Sequence, residues 1–149
     1  DRDAQVAFVA ELVDRYGIRY LEDPIQQDDF EGFAAVTKAV GNRALVVGDD
    51  LYTTRAERLA RGVAAHATNA VLIKVNQVGT LTETLQTVDL AATDRQATVT
   101  SHRSGEVPEG WLAHIALGTG ARALKCGVLG GERVAKLNEL LRLARVHGP

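Results

Sequence analysis

The chain has 149 residues, 46% hydrophobic and 24% charged, the balance of one ordinary globular domain. Seventeen Lys and Arg against nineteen Asp and Glu leave a net charge of −2, which argues against nucleic-acid binding. No apolar run approaches the roughly 20 residues that span a bilayer, and a single cysteine, Cys126, excludes an internal disulfide and fits a reducing cytoplasm.

Apolar residues at helical spacing over 4–15 predict a helix closed by Gly17. Ile18-Arg19-Tyr20-Leu21 then predicts a short strand, halted by Glu22-Asp23-Pro24. The cycle repeats: a helix over 30–40 leads to the strand Ala44-Leu45-Val46-Val47, which ends at Gly48-Asp49-Asp50. A helix over 55–65 precedes Ala70-Val71-Leu72-Ile73, ending at Lys74-Val75-Asn76-Gln77. A helix over 80–93 precedes Ala97-Thr98-Val99-Thr100, ending at Ser101-His102-Arg103-Ser104. A helix over 108–119 leads to Ala121-Arg122-Ala123-Leu124, ending at Lys125-Cys126-Gly127, and a last helix fills 131–146.

Helices alternating with short, nearly all-apolar strands indicate a parallel sheet covered on both faces. An open doubly wound sheet and a (β/α)8 barrel share that pattern, but an open sheet gathers its chemistry at one switch point. Here every strand ends in a polar cluster, as in a barrel. About five strands are visible where a barrel has eight in about 250 residues. The expected fold is therefore α/β, a partial (β/α)8 TIM-type barrel of about five C-terminal βα units. The lack of methionine and the start at Asp1 fit residues 1–149 as an incomplete domain of something longer. Gly118-Thr119-Gly120 matches neither phosphate-loop pattern.

On a barrel the strand-end groups Glu22, Asp23, Asp49, Asp50, Lys74, Gln77, His102, Arg103, Ser104 and Lys125 converge on one mouth. Carboxylates from neighbouring strands suit a hard cation such as Mg²⁺; each can instead cap the helix that follows. The lysines are more telling. The chain has 13 arginines and only four lysines, yet two of the four, Lys74 and Lys125, directly follow apolar strands. Arginine keeps its proton, whereas a lysine that is desolvated or near other cations can lose it and act as a base. A structural ion pair with a nearby aspartate is the competing role. Arg103 can grip a phosphate or carboxylate and Ser104 can donate beside it, while His102 is open to several roles. His66, His114 and His147 read as surface or packing residues, Cys126 as a buried thiol, and Trp111 as a helix-to-barrel packing residue. Together these groups suggest metal-assisted proton abstraction next to a carboxylate.

Five segments also resemble a known family. Leu21-Glu22-Asp23-Pro24, Gly48-Asp49-Asp50-Leu51, the run Leu72–Leu81 containing Lys74-Val75-Asn76-Gln77, Ser101-His102-Arg103-Ser104-Gly105-Glu106 and Glu132-Arg133-Val134-Ala135-Lys136-Leu137-Asn138 are similar, in order and spacing, to the C-terminal barrel domain of enolases. The resemblance implies an Mg²⁺-dependent hydro-lyase that dehydrates 2-phosphoglycerate to phosphoenolpyruvate. Glu22 and Asp49 would ligate Mg²⁺, and Lys74 would remove the C2 proton. His102 would line the site near the leaving hydroxyl, Arg103 and Ser104 would hold the phosphate, and Lys125 the substrate carboxylate. The family's third metal ligand, its general acid, the first barrel strands and the N-terminal capping domain would lie before Asp1, so this chain alone is expected to be inactive.

Tyr52-Thr53-Thr54-Arg55, Val107-Pro108-Glu109-Gly110 and Val128-Leu129-Gly130-Gly131 depart from the family's usual wording. They keep one alternative in view, and the incompleteness of the barrel keeps a second. One is an enolase paralogue acting on a phosphonate analogue, as in carboxyphosphonoenolpyruvate synthase. The other is a non-catalytic fragment that assembles through the open sheet edges of a partial barrel, and a homo-oligomer is expected.

Overall fold

Asp1 accepts a hydrogen bond from the Ala4 amide and opens α1 (Arg2–Tyr16), and Gly17 closes it at φ 62°, a conformation glycine adopts without steric cost. This is the first element of a computed structural model that describes residues 1–148, in two compact units: Asp1–Ala97 and the residues from Thr98 onward. None of the helices is long and apolar enough to cross a membrane among the described residues.

In the first unit, β1 (Tyr20–Glu22), β2 (Leu45–Gly48) and β3 (Ala70–Ile73) run parallel. Register pairs Tyr20 with Leu45 and Glu22 with Val47, then Val47 with Ala70 and Gly48 with Val71. Ala70 to Ile73 are all buried, as a strand covered on both faces requires. The connecting helices are α2 (Phe30–Val40), α3 (Ala56–Ala64), α4 (Val75–Val78) and α5 (Leu81–Thr93). Asp29 caps α2 by accepting from Gly32 N, and Thr80 caps α5 by accepting from Glu83 N. Phe30, Phe33, Val36 and Val40 share one face of α2 and enter a core that includes Val9 and Val13 of α1, Val46, Leu51, Tyr52 and Ile73. Phe33 is wholly buried, so truncation to Ala should cost about 3–5 kcal/mol.

The second unit holds all but the first residue of β4 (Ala97–Ser101), with α6 (Trp111–Gly118), β5 (Ala123–Lys125) and α7 (Gly131–His147). β4 and β5 are parallel, pairing Val99 with Ala123 and Ser101 with Lys125. Leu112, Ala113 and Ala116 of α6 and Leu143 of α7 are buried. A Cβ on Gly110 would lie 2.7 Å from Glu139 Cβ, so only glycine lets the start of α6 approach α7 this closely.

Three expectations need correction. Trp111 is 41% exposed; as the first residue of α6 it leaves burial to Leu112 and Ala113. The Cys126 thiol is half-buried, since its loop follows β5 at the surface of its unit. The stretch after Lys74 is a helical turn, α4, closed by Gly79 at φ 104°, and not a mere strand end.

Candidate functional site

In the first unit the chain leaves β1, β2 and β3 at the same end, because the strands are parallel. Glu22 closes β1, Asp49 and Asp50 follow β2, and Lys74 follows β3. Lys74 Nζ donates to Asp49 Oδ2 in a direct ion pair, and Gln77 Nε2 lies 3.5 Å from Asp49 Oδ1. Glu22 accepts a 2.7 Å hydrogen bond from the Tyr20 hydroxyl. Burial, then that bond, then the charges of Glu22, Asp49 and Asp23 push the Tyr20 pKa well above the phenol range. Three carboxylates therefore act on one hydroxyl.

Asp23 has a distinct place. Its two carboxylate oxygens accept from Asp49 N at 2.9 Å and Asp50 N at 2.8 Å, so it shapes the turn that presents Asp49. It does so from a left-handed backbone, φ 42°. Carboxylate oxygens of Asp23, Asp49 and Asp50 lie within 4.8 Å of one another. Burial raises the Asp23 pKa, two backbone hydrogen bonds oppose this, and the neighbouring Asp49 and Asp50 charges raise it further. Crowded hard oxygen donors of like charge are the chemistry that suits a divalent cation.

Lys74 is held from behind. Thr54 Oγ1 accepts from Lys74 N at 2.9 Å and donates to Gln77 Oε1 at 3.0 Å. Thr87 Oγ1 in turn donates to Thr54 O at 2.7 Å. Thr53 and Thr54 both have positive φ, 48° and 57°, an unfavourable region for a β-branched residue that persists only where surroundings enforce it.

The second unit carries the other expected residues. Ser101 pairs with Lys125 across the β4–β5 ladder, and His102 N donates to Lys125 O at 3.1 Å. Arg103 N donates to Glu106 Oε1 at 2.6 Å, which closes the loop after β4 into a tight turn. Glu106 Oε2 also pairs with Lys136 Nζ at 2.8 Å. Arg133 Nη1 lies 2.8 Å from His102 Nδ1, and the same guanidinium reaches Arg103 O and Ser104 O, each at 3.4 Å.

Asp49 and Lys74 thus meet in the first unit, where Glu22 and Asp49 both act on the Tyr20 hydroxyl, while His102, Arg103, Ser104 and Lys125 lie in the second. Sequence reasoning did not single out Asp23's role, Tyr20, Thr54, Arg133, Glu106 or Lys136. For Lys136 a signal existed, since it is one of only four lysines in an arginine-rich chain.

Parallel strands ending in carboxylates and lysines, each followed by a helix, are the layout of (β/α)8-barrel proteins. A family model described as "Enolase, C-terminal TIM barrel domain" matches residues 2–148, and the chain belongs to that family. Its fold is part of an α/β TIM-type barrel. The chain is 50% identical over 141 residues to a protein named "Enolase" from Natronomonas pharaonis, covering 95% of this chain and 35% of that one. It is 51% identical over 142 residues to "Enolase" from Methanocorpusculum labreanum, covering 95% and 36%. It is 50% identical over 141 residues to "Enolase" from Halobacterium salinarum, covering 95% and 35%. The chain spans about a third of the length of these curated relatives.

Proposed function

We propose that this chain supplies the lysine, metal-ligand and anion-binding side of an enolase-type hydro-lyase that converts 2-phosphoglycerate to phosphoenolpyruvate and water. The observation that carries the reading is the meeting of Lys74 with Asp49 beside the Asp23 and Asp50 carboxylates, in a chain about half identical to proteins named "Enolase".

The donor set fits Mg²⁺. Glu22 and Asp49 would hold it, while Asp23, whose oxygens each take a backbone N–H, positions Asp49. A cation bound there supplies Lewis-acid stabilisation for negative charge developing on the substrate carboxylate. Lys74 is the base that takes the C2 proton. To do so it leaves the Asp49 pair and presents a free amine, while the Thr54 hydroxyl fixes its backbone. The C2–H electrons then form the C2–C3 double bond as the C3 hydroxyl departs as water, its extra proton supplied by the family's general acid, which the resemblance assigns to a position before Asp1. Arg103 and Ser104 bind the phosphate, Lys125 the carboxylate, and His102 the region of the leaving hydroxyl. This reading takes a small phosphorylated carboxylate as substrate, and a homo-oligomer in the cytoplasm as the setting.

The test is 2-phosphoglycerate turnover by the full-length protein before and after chelation. Activity lost to a chelator and regained with Mg²⁺ supports the reading. Metal-independent turnover, or none with Mg²⁺, defeats it. A protein that ignores 2-phosphoglycerate yet turns over a phosphonate analogue belongs instead to a paralogue of the carboxyphosphonoenolpyruvate synthase kind.

A further inference from the structure

In the second unit, the first turns of α7 hold residues 102–104 in place. Arg133 Nη1 lies 2.8 Å from His102 Nδ1. A guanidinium has five N–H donors, no acceptor, and does not give up its proton. Nδ1 is therefore the acceptor and carries the lone pair. A neutral imidazole has a single ring N–H, which leaves that proton on the far nitrogen. We propose that Arg133 is a positioning residue for His102, holding the ring as the Nε2–H tautomer so that its outer nitrogen is a hydrogen-bond donor.

The arginine is itself immobilised. Its guanidinium reaches Arg103 O and Ser104 O at 3.4 Å, and its Nε lies 3.8 Å from Glu132 Oε1. Cys126 Sγ donates to its carbonyl at 3.5 Å. Its stem lies over Gly127, where any Cβ would collide with Arg133 Cδ. One turn further along α7, Lys136 grips Glu106 and the carbonyls of Val107, Glu109 and Glu132, and Glu106 holds Arg103 N. Ring and loop are thus fixed by two adjacent turns of one helix.

The charges facing the imidazole agree. Burial, then the Arg133 charge, lower the His102 pKa; Glu106 opposes them, and Lys125 and Lys136 add to the lowering.

The functional consequence rests on the proposed reading of His102 as lining the region of the departing hydroxyl. An Nε2–H donor can hold an oxygen there but cannot accept its proton. His102 then binds and orients, and base chemistry is left to Lys74.

Imidazole nitrogen NMR on the full-length protein tests this, with His102 identified by the resonances that His102→Gln removes. The expected spectrum shows a protonated Nε2, an unprotonated Nδ1, and a titration midpoint below 6.5, the ordinary histidine value. Arg133→Met should move the midpoint upward and mix the tautomers. Arg133→Lys should keep more of the Nε2–H form, and Gly127→Ala, which displaces the arginine stem, should shift the ring the same way as Arg133→Met. These two variants serve if Arg133→Met does not fold. A protonated Nδ1 in the neutral ring of the parent protein, above the midpoint, overturns the proposal, as does a midpoint indifferent to all three substitutions. The readout needs no turnover, so a protein inactive on 2-phosphoglycerate would sink the functional reading and leave the tautomer assignment standing.

Discussion

Asp49 and Lys74, one residue past the ends of the adjacent strands β2 and β3, form a direct ion pair in which neither side chain exposes more than 13% of its surface. The pair serves both a structural and a chemical role, and the two can be separated. Lys74→Met removes the ammonium and strands a buried carboxylate, which should cost about 3 kcal/mol of stability. Adding Asp49→Asn removes that carboxylate's charge and should recover most of the loss. Turnover of 2-phosphoglycerate should fall by roughly 10²–10⁴-fold with Lys74→Met, and it should stay down in the double variant, which lacks both the base and a proposed Mg²⁺ ligand. Urea denaturation and steady-state kinetics on the same preparations check both halves. Near-parent turnover by the Lys74→Met single variant would remove Lys74 from the chemistry.

What the sequence made legible is what local chemistry determines. Gly17 closes α1 where its backbone preference says it should, and β3 is found where its apolar run lies. Strand ends slipped by a residue or two, because pairing decides them. β1 begins at Tyr20, opposite Leu45, and not at the apolar Ile18; β5 ends at Lys125, opposite Ser101. The polar residues of α7 were hidden for a different reason. Charged side chains are ordinarily exposed, but the partners of Arg133 and Lys136 lie about thirty residues earlier in the chain, and only the folded second unit brings them there. Asp23 was visible as an acidic strand-end residue, yet its service to the Asp49 and Asp50 amides depends on a left-handed backbone that composition does not encode.

Lys136 is fully buried, and its ammonium meets Glu106 at 2.8 Å and three carbonyls between 2.8 and 3.2 Å. Lys136→Met should therefore cost about 3–5 kcal/mol, since it leaves Glu106 charged and without its cation. Lys136→Met with Glu106→Gln should recover part of this. The surface of the same helix offers a contrast. Glu139 is shared by Arg142 and His114, and Arg142 foremost holds its pKa down to about 2, yet water screens the group and Glu139→Gln should matter far less. Equal losses from Lys136→Met and Glu139→Gln in denaturant titrations would contradict this ordering.

Tyr52 offers a pH test of the first unit's core. Its ring is fully buried beside Gly48 and Gly62; a Cβ on Gly48 would lie 2.6 Å from the ring. The Thr68 hydroxyl donates to Gln96 Oε1 at 2.9 Å, so its only proton is committed. The 2.7 Å contact between Tyr52 and Thr68 is therefore donated by the phenol, which must stay protonated to make it. Burial, opposed by the Thr68 hydroxyl's ability to turn toward a phenolate and helped by the Asp94 charge, pushes the Tyr52 pKa up to about 12. A raised folded-state pKa favours the protonated form, so this contribution is complete below the ordinary value of 10.0 and is lost as pH climbs toward about 12. Across that window the loss should be on the order of 2–3 kcal/mol. Tyr52→Phe should cost about 1 kcal/mol at neutral pH by removing the hydrogen bond, and should flatten the alkaline decline. Tyr20, also raised by burial and its carboxylate neighbours, is the second phenol to control for, with Tyr20→Phe in both backgrounds. Denaturation free energies measured across the alkaline range decide the matter: parallel curves for the parent and Tyr52→Phe would mean that the buried phenol does not set the alkaline limit.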